Sequence, residues 1–198
     1  MDALEKIAYK GHEIEIWFDE VYDENPNDWD DGIILVFYHR DFWISADNVI
    51  TEDDVRRWFL GEKIEQEDKY YMFPVSALIH SGIALSLSSY FMEDPGRWDT
   101  STAGAILVSK EDAGSRKEAL MMARDEISDW NDILSGQVFG YTIDGMDGVW
   151  GYIGDKQIAI DEAKSAVDVL FRKRERKIKS LIRHHVNLSK RLKILEAI

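Results

Sequence analysis

Three residues of this chain have the types required for a hydrolytic triad, namely His80, Ser81 and Asp99. A triad needs a nucleophilic hydroxyl, an imidazole that takes its proton and a carboxylate that orients the imidazole. His80 and Ser81 are adjacent, however, and adjacent side chains on a strand point to opposite faces. No nucleophile elbow surrounds Ser81. We therefore interpret His80 as a hydrogen-bonded turn histidine and Asp99 as a turn or capping carboxylate, and we predict a non-enzymatic protein.

Carboxylates are concentrated between Asp19 and Asp31, where Pro26 indicates a surface loop. Such a density suits calcium, but Asp28, Asp30 and Gly32 depart from the EF-hand register. We predict no metal ion and no cofactor. We predict instead that the acidic residues of this loop contact a basic partner. They are Asp19, Glu20, Asp23, Glu24, Asp28, Asp30 and Asp31.

A heptad pattern runs through the last fifth of the chain, from Val167 to Leu195. Its seam positions are apolar except for Arg174 and His185. Steps of four and three residues indicate a coiled coil, and we predict a homodimer through this helix. Two alternatives remain: a single helix lying on the acidic part of the chain, or a basic helix that binds nucleic acid or a membrane surface. The predicted oligomerisation residues are Phe171, Ile178, Leu181, Leu188, Leu192 and Leu195.

Charge separates this tail from the rest of the chain. Residues 164–198 hold 11 Lys and Arg against 3 Asp and Glu, a net charge of +8, so the total of −14 leaves −22 for residues 1–163. An acidic surface repels phosphates and attracts basic partners. There is no cysteine, which excludes disulfides and thiolate chemistry. Because no signal peptide or long apolar run is evident, we predict a cytosolic protein.

The periodicity predicts mostly antiparallel strands. His12 to Phe18 alternate between apolar and acidic positions, and the apolar run Ile33 to Tyr38 follows as a buried strand, expected to pair with the first across the acidic loop. Thr51 has the context of a helix cap. The further predicted strands are Tyr71 to Ile79, Ile83 to Leu87, Ala105 to Val108, Val138 to Ile143 and Val149 to Ile153.

Ser109 is expected to cap an amphipathic helix that begins at Lys110 and ends before Gly136. The tail helix is expected to begin near Asp161. The sequence therefore predicts an α+β fold, a mostly antiparallel sheet with one long packed amphipathic helix, followed by a long basic C-terminal helix. The predicted division is an acidic α+β domain at residues 1–160 and a basic helix at 161–198.

Several segments in order resemble a family of bacteriophage and mobile-element proteins. The resemblance covers roughly residues 9–165, and the family commonly has a glycine where this chain has Thr102 or its neighbours. It implies a phage or prophage accessory protein in the cytoplasm of a bacterial or archaeal host, with no established active site. The segments that carry it are His80–Gly82, Trp98–Gly104 with Ile106–Glu111, and Leu134–Tyr141 with Val149–Asp155.

Charge and resemblance together favour an inhibitor. We expect an acidic nucleic-acid mimic that occupies the basic groove of a host defence protein, for example a nuclease complex. The alternative is a nucleic-acid-associated phage accessory protein that binds DNA or RNA through the tail. Carboxylates clustered on one face favour the first function, and an uncovered basic face on the tail favours the second.

Overall fold

The computed structural model describes residues 2–29 and 31–185, without the side chains of residues 184 and 185. The chain divides into two compact units, unit 1 from residues 1–19 and 138–198 and unit 2 from residues 20–137. This division differs from the predicted one at residue 160. The physical reason is that the chain leaves the sheet of unit 1 after residue 19 and returns to it at residue 138.

The described residues form an α+β fold with two antiparallel sheets. The strands are β1 (Glu5–Tyr9), β2 (His12–Phe18), β3 (Ile33–His39), β4 (Phe42–Ile44), β5 (Tyr70–Ile79), β6 (Ile83–Ser86), β7 (Thr100–Ser109), β8 (Val138–Ile143) and β9 (Val149–Ile153). The α-helices are α1 (Glu52–Phe59), α2 (Gln66–Lys69), α3 (Arg116–Leu134) and α4 (Lys156–His185).

Unit 1 is a four-stranded sheet in the order β1-β2-β8-β9 with α4 packed on it. The predicted alternation in β2 is confirmed, since Ile14 and Ile16 are buried while Glu13 is exposed. Small side chains on α4, including Ala159 and Ala163, let the helix approach these isoleucines closely. The predicted β8–β9 hairpin is also confirmed.

Unit 2 is a five-stranded sheet in the order β4-β3-β7-β5-β6. One face packs against α3, and the other face carries a second cluster that includes Val55 of α1. β3 is apolar from Ile33 to Phe37 because successive residues enter opposite clusters, Leu35 the first and Val36 the second. Both are fully buried.

Two helix starts illustrate local capping. Thr51 caps α1, with its side chain accepting from the Asp54 amide, and the Asp54 carboxylate accepts from the Thr51 amide. The predicted cap at Ser109 is wrong, because the chain turns after β7 and α3 begins only at Arg116. Ser115 is the cap of α3, with its hydroxyl accepting from the Glu118 amide at 3.2 Å.

Three other expectations need correction. β1 was not predicted, although it pairs with β2 along its length. The predicted pairing of the first strand with Ile33–Tyr38 is wrong, since β2 pairs with β8 and β3 pairs with β4 and β7. The last helix begins at Lys156, about one turn before the predicted start near Asp161. The pairing error arises because strands adjacent in the sequence were assumed to be neighbours in the sheet.

Candidate functional site

The predicted acidic loop is divided between the two units. Asp19 directly follows β2 in unit 1, where its amide donates to the Val138 carbonyl at 2.8 Å. The other loop residues belong to unit 2, where Glu20, Asp23, Glu24 and Asp28 are exposed and Asp31 is half-buried. Asp30 lies outside the described residues. The structure therefore does not bring the seven predicted contact residues together on one unit.

The part of the acidic loop that belongs to unit 2 is hydrogen-bonded to the backbone of β3. The Asn27 side chain donates to the Leu35 carbonyl at 2.8 Å and accepts from the Leu35 amide at 2.7 Å. Asp31 accepts from the Ile33 amide at 3.0 Å. These bonds satisfy the polar backbone of β3 and hold the acidic loop in a defined position on unit 2.

Asp31 lies beside an acidic patch on α3 that the sequence analysis did not single out. Its members recur at helical spacing, so they share one face of the helix. Glu126 is the buried member, with an exposed fraction of 5 %. We call this set the α3 acidic cluster, and it consists of Asp31, Asp125, Glu126, Asp129 and Asp132.

The cluster members repel one another's charges. Burial, with the negative charges of Asp31 and Asp129, raises the pKa of Glu126 to about 7. The neighbouring Trp130 indole opposes this shift only weakly, and its buried Nε1 has no hydrogen-bond partner of good geometry among the described residues. Burial and the charges of Asp132, Asp125 and Asp31 also raise the pKa of Asp129. No member of the cluster forms an ion pair within residues 2–29 and 31–185.

Net charge follows the division into units. Unit 2 holds 25 Asp and Glu against 10 Lys and Arg, a net charge of −15. Unit 1 holds 13 against 14, a net charge of +1. The acidity of the chain is therefore a property of unit 2, whereas unit 1 is close to neutral, with nine of its 14 cations on α4.

The predicted coiled-coil seam is only partly available on α4. Val167 is fully buried against the sheet of unit 1. Phe171 is 44 % exposed, and its ring centroid lies 5.6 Å from Lys10 Nζ. Leu181 is 49 % exposed and Ile178 is half-buried. Leu188, Leu192 and Leu195 lie outside the described residues. The coiled coil therefore stays a prediction.

The basic residues of α4 between Arg172 and Lys177 are all exposed, and the acidic Glu175 among them is half-buried. In this part of the helix, as far as it is described, Lys179 alone forms an ion pair, with Glu175 one turn earlier at 2.5 Å. Five cations of this segment consequently have no carboxylate at ion-pair distance among the residues that the structure describes. They are Arg172, Lys173, Arg174, Arg176 and Lys177.

The residues considered for catalysis lie at one end of the unit 2 sheet. His80 Nδ1 lies 3.1 Å from Asp99 Oδ2, because β5 and β7 are neighbours and pair Leu78 with Thr100. Ser81, His80 and Asp99 line one cleft, but no hydrogen bond joins Ser81 to His80 in the described part of the chain. The structure brings two of the three triad residue types together without a hydroxyl nucleophile bonded to the imidazole.

The capping role that the sequence suggested for Asp99 belongs to Asp94. Asp94 is buried and accepts from the Trp98 amide at 2.9 Å, the Asp99 amide at 2.9 Å and the Thr100 hydroxyl at 2.7 Å. Burial opposes ionisation of Asp94, but these hydrogen bonds outweigh it and lower its pKa. The Asp-Pro-Gly turn at residues 94–96 was the available signal, since aspartate commonly bonds the backbone of such turns.

No described group of three or more His, Asp or Glu side chains has the arrangement of a metal site. Within the described residues, every helix is too short or too polar to cross a membrane. No protein-family model, curated protein or solved structure matches this chain. The site residues must therefore be judged on their own geometry and charge.

Proposed function

We propose that the protein acts by binding, as an acidic inhibitor that occupies the basic groove of a nucleic-acid-binding host protein such as a defence nuclease. The observation that carries this proposal is the charge of −15 on unit 2, with a cluster of carboxylates on α3 that have no cation partner among the described residues. The resemblance to phage proteins supports a host target.

Carboxylates can replace phosphates as the partners of a basic groove. Unit 2 is steered towards a positive cleft by long-range attraction, and the attraction weakens as salt shortens the screening length. A groove lined by arginine and lysine also relieves the repulsion among Asp31, Glu126 and Asp129, because opposite charges nearby favour the ionised carboxylates. Binding and ionisation of the cluster therefore support each other.

The second candidate function is nucleic-acid binding through α4. The observation in its favour is the set of exposed cations from Arg172 to Lys177, which lack a carboxylate partner at ion-pair distance in the described part of the chain. Such a face releases counterions from DNA or RNA when it binds phosphates. Unit 1, with a net charge of +1, does not oppose this contact as unit 2 would.

The test is a capture experiment from bacterial host lysate at low and high salt. Tagged wild-type protein is compared with Asp125→Asn/Asp129→Asn/Asp132→Asn, which removes three charges from the α3 acidic cluster. We expect the wild-type protein to capture a nucleic-acid-binding protein that added DNA displaces. The triple variant should bind it at least about tenfold more weakly, because part of the phosphate-like surface is gone.

The matched control is Asp47→Asn/Asp53→Asn/Glu111→Gln, which removes the same charge from exposed positions elsewhere in unit 2. Equal loss in both variants would mean that only net charge matters, and would contradict a defined α3 surface. Recovery of DNA or RNA that depends on Arg172, Arg176 and Lys177, tested by glutamine substitution, would replace inhibition by the second function. Point substitutions are used here because ending the chain at residue 163 would remove Val167, which is fully buried in the core of unit 1.

We also propose that α4 pairs with a second copy of itself. Its support is the apolar exposure of Leu181, at 49 %, which continues the heptad spacing. Leu181→Glu is expected to convert a dimer to a monomer in light scattering coupled to size exclusion, because two carboxylates would be buried in the seam. Ser180→Glu, at the adjacent exposed position, should leave the mass unchanged. A monomeric wild-type protein would reject the pairing.

A further inference from the structure

Unit 2 carries exposed large side chains in the segment between β6 and β7. Trp98 is 90 % exposed, Met92 80 % and Tyr90 58 %. Exposed tryptophan is uncommon, and clustered exposed apolar side chains mark surfaces that become covered by a partner. Tryptophan is also enriched among the residues that contribute most to protein–protein binding. This segment therefore has the composition of a docking surface.

The same segment borders the cleft that contains His80 and Asp99. The cleft has a volume of about 410 Å³ and an apolar part formed by Leu78, Ile83 and Ala84. Its carboxylates are Glu93, Asp94 and Asp99. Its described lining contains no lysine or arginine, and Arg97, the nearest cation in the sequence, is exposed outside it. The cleft is therefore negative, with room for one extended side chain.

Asp94 holds this surface in place. Its carboxylate accepts hydrogen bonds from the backbone amides of Trp98 and Asp99, so one buried group fixes the backbone at both residues. Asp99 in turn pairs with His80. Phe91 is buried and anchors the other end of the segment in the unit. A surface fixed in this way loses little conformational entropy on binding.

We propose that this cleft receives an arginine side chain of a basic polypeptide, with the stem along Leu78 and Ile83 and the guanidinium between Glu93 and Asp99, while the adjoining polypeptide covers the exposed Trp98 ring. A guanidinium pairs with carboxylates through two parallel hydrogen bonds, which an ammonium does less well. Charge complementarity and the apolar rim select a polypeptide as the occupant. This inference rests on the proposed function in one respect, that the partner is a basic protein.

The experiment is an NMR titration of the full-length ¹⁵N-labelled protein with an acetylated, amidated peptide Gly-Ala-Arg-Ala-Gly. We expect saturable shifts confined to residues 78–99, including the Trp98 indole signal. The same peptide with glutamine in place of arginine should bind with at most about one fifth of the affinity of the arginine peptide. Trp98→Ala and Glu93→Gln should each weaken arginine-peptide binding about fivefold or more.

Matched controls are Trp43→Ala, at another exposed tryptophan of unit 2, and Glu111→Gln, at another exposed carboxylate, and neither should change the affinity. Equal affinity for the arginine and glutamine peptides, or shifts outside residues 78–99, would overturn the proposal. Equal affinity for free agmatine would reassign the cleft to small cations and overturn peptide docking. If Trp98→Ala still captures the host protein at wild-type strength while the α3 triple variant does not, the proposed function stands and the cleft proposal fails.

Discussion

The Glu126→Gln substitution is expected to raise the free energy of unfolding at pH 8 by up to about 3 kcal/mol. Glu126 is 5 % exposed on α3, and burial together with Asp31 and Asp129 raises its pKa from 4.5 to about 7. Each pKa unit corresponds to about 1.4 kcal/mol, which sets the upper figure. Glutamine resembles the protonated side chain and removes the cost of the buried charge.

The pH dependence has a defined sign. Between pH 4.5 and about 7 the folded protein keeps a proton on Glu126 that the unfolded chain has released, so the free energy of unfolding falls as pH rises. The cost is absent below the unfolded pKa and complete above the folded pKa. Urea unfolding of wild type and Glu126→Gln at pH 4 and pH 8 should therefore give a stability difference at pH 8 that nearly disappears at pH 4.

Asp125→Asn is the control for this measurement, because Asp125 is exposed on the same helix. Its effect should stay within about 0.5 kcal/mol at both pH values. If Glu126→Gln changes stability equally at pH 4 and pH 8, Glu126 has the same pKa in the folded and unfolded protein, and the repulsion assigned to the α3 acidic cluster is absent.

The Gly104→Ala substitution is expected to lower the free energy of unfolding by about 3 kcal/mol. Gly104 lies in the central strand β7, opposite Phe37 of β3. A Cβ atom there would lie 2.3 Å from Phe37 Cδ2 and 2.6 Å from the Val36 carbonyl oxygen. The Phe37 ring is fully buried and packs against Phe42, with ring centroids 5.4 Å apart, so it has no free space to move into.

Urea unfolding of Gly104→Ala, Gly82→Ala, Phe37→Leu and the double variant Phe37→Leu/Gly104→Ala separates this steric effect from others. Gly82→Ala should be nearly neutral, because a Cβ at position 82 meets nothing within 4 Å. Phe37→Leu/Gly104→Ala should be more stable than the sum of the single changes predicts, since the smaller side chain relieves one of the two close contacts. Purely additive effects would show that the Phe37 ring is not what excludes a side chain at position 104.

Local sequence patterns predicted many elements but few of their pairings. Asp144 and Gly145 adopt positive φ values of 54° and 68°, as the turn sequence between β8 and β9 required, and the hairpin boundaries were predicted correctly. The pairing of Trp17 with Gly140 joins residues separated by most of the chain, and no local pattern reports it. The start of α3 was missed although Ser115 and Glu118 have capping-box spacing.

The candidate sites show the same limit. His80 and Asp99 were recognised by residue type, but their contact depends on the β5–β7 register. Glu126 lies on the predicted helix, but its burial and the proximity of Asp31 depend on how the loop before β3 is fastened to unit 2. Charge counts predicted an acidic body, and only the tertiary fold assigned that acidity to residues 20–137.

The hydrogen bond between the Asp19 amide and the Val138 carbonyl has a consequence for synthesis on the ribosome. Unit 2 leaves and rejoins unit 1 at adjacent points of one sheet, as an inserted domain does. All of its residues emerge before β8, β9 and α4 exist. The nascent β1–β2 hairpin therefore lacks its partner strand β8 and the helix α4 while the inserted domain is synthesised and folds, and Ile14 and Ile16 stay uncovered during that time. Unit 1 is the first to begin and the last to be completed.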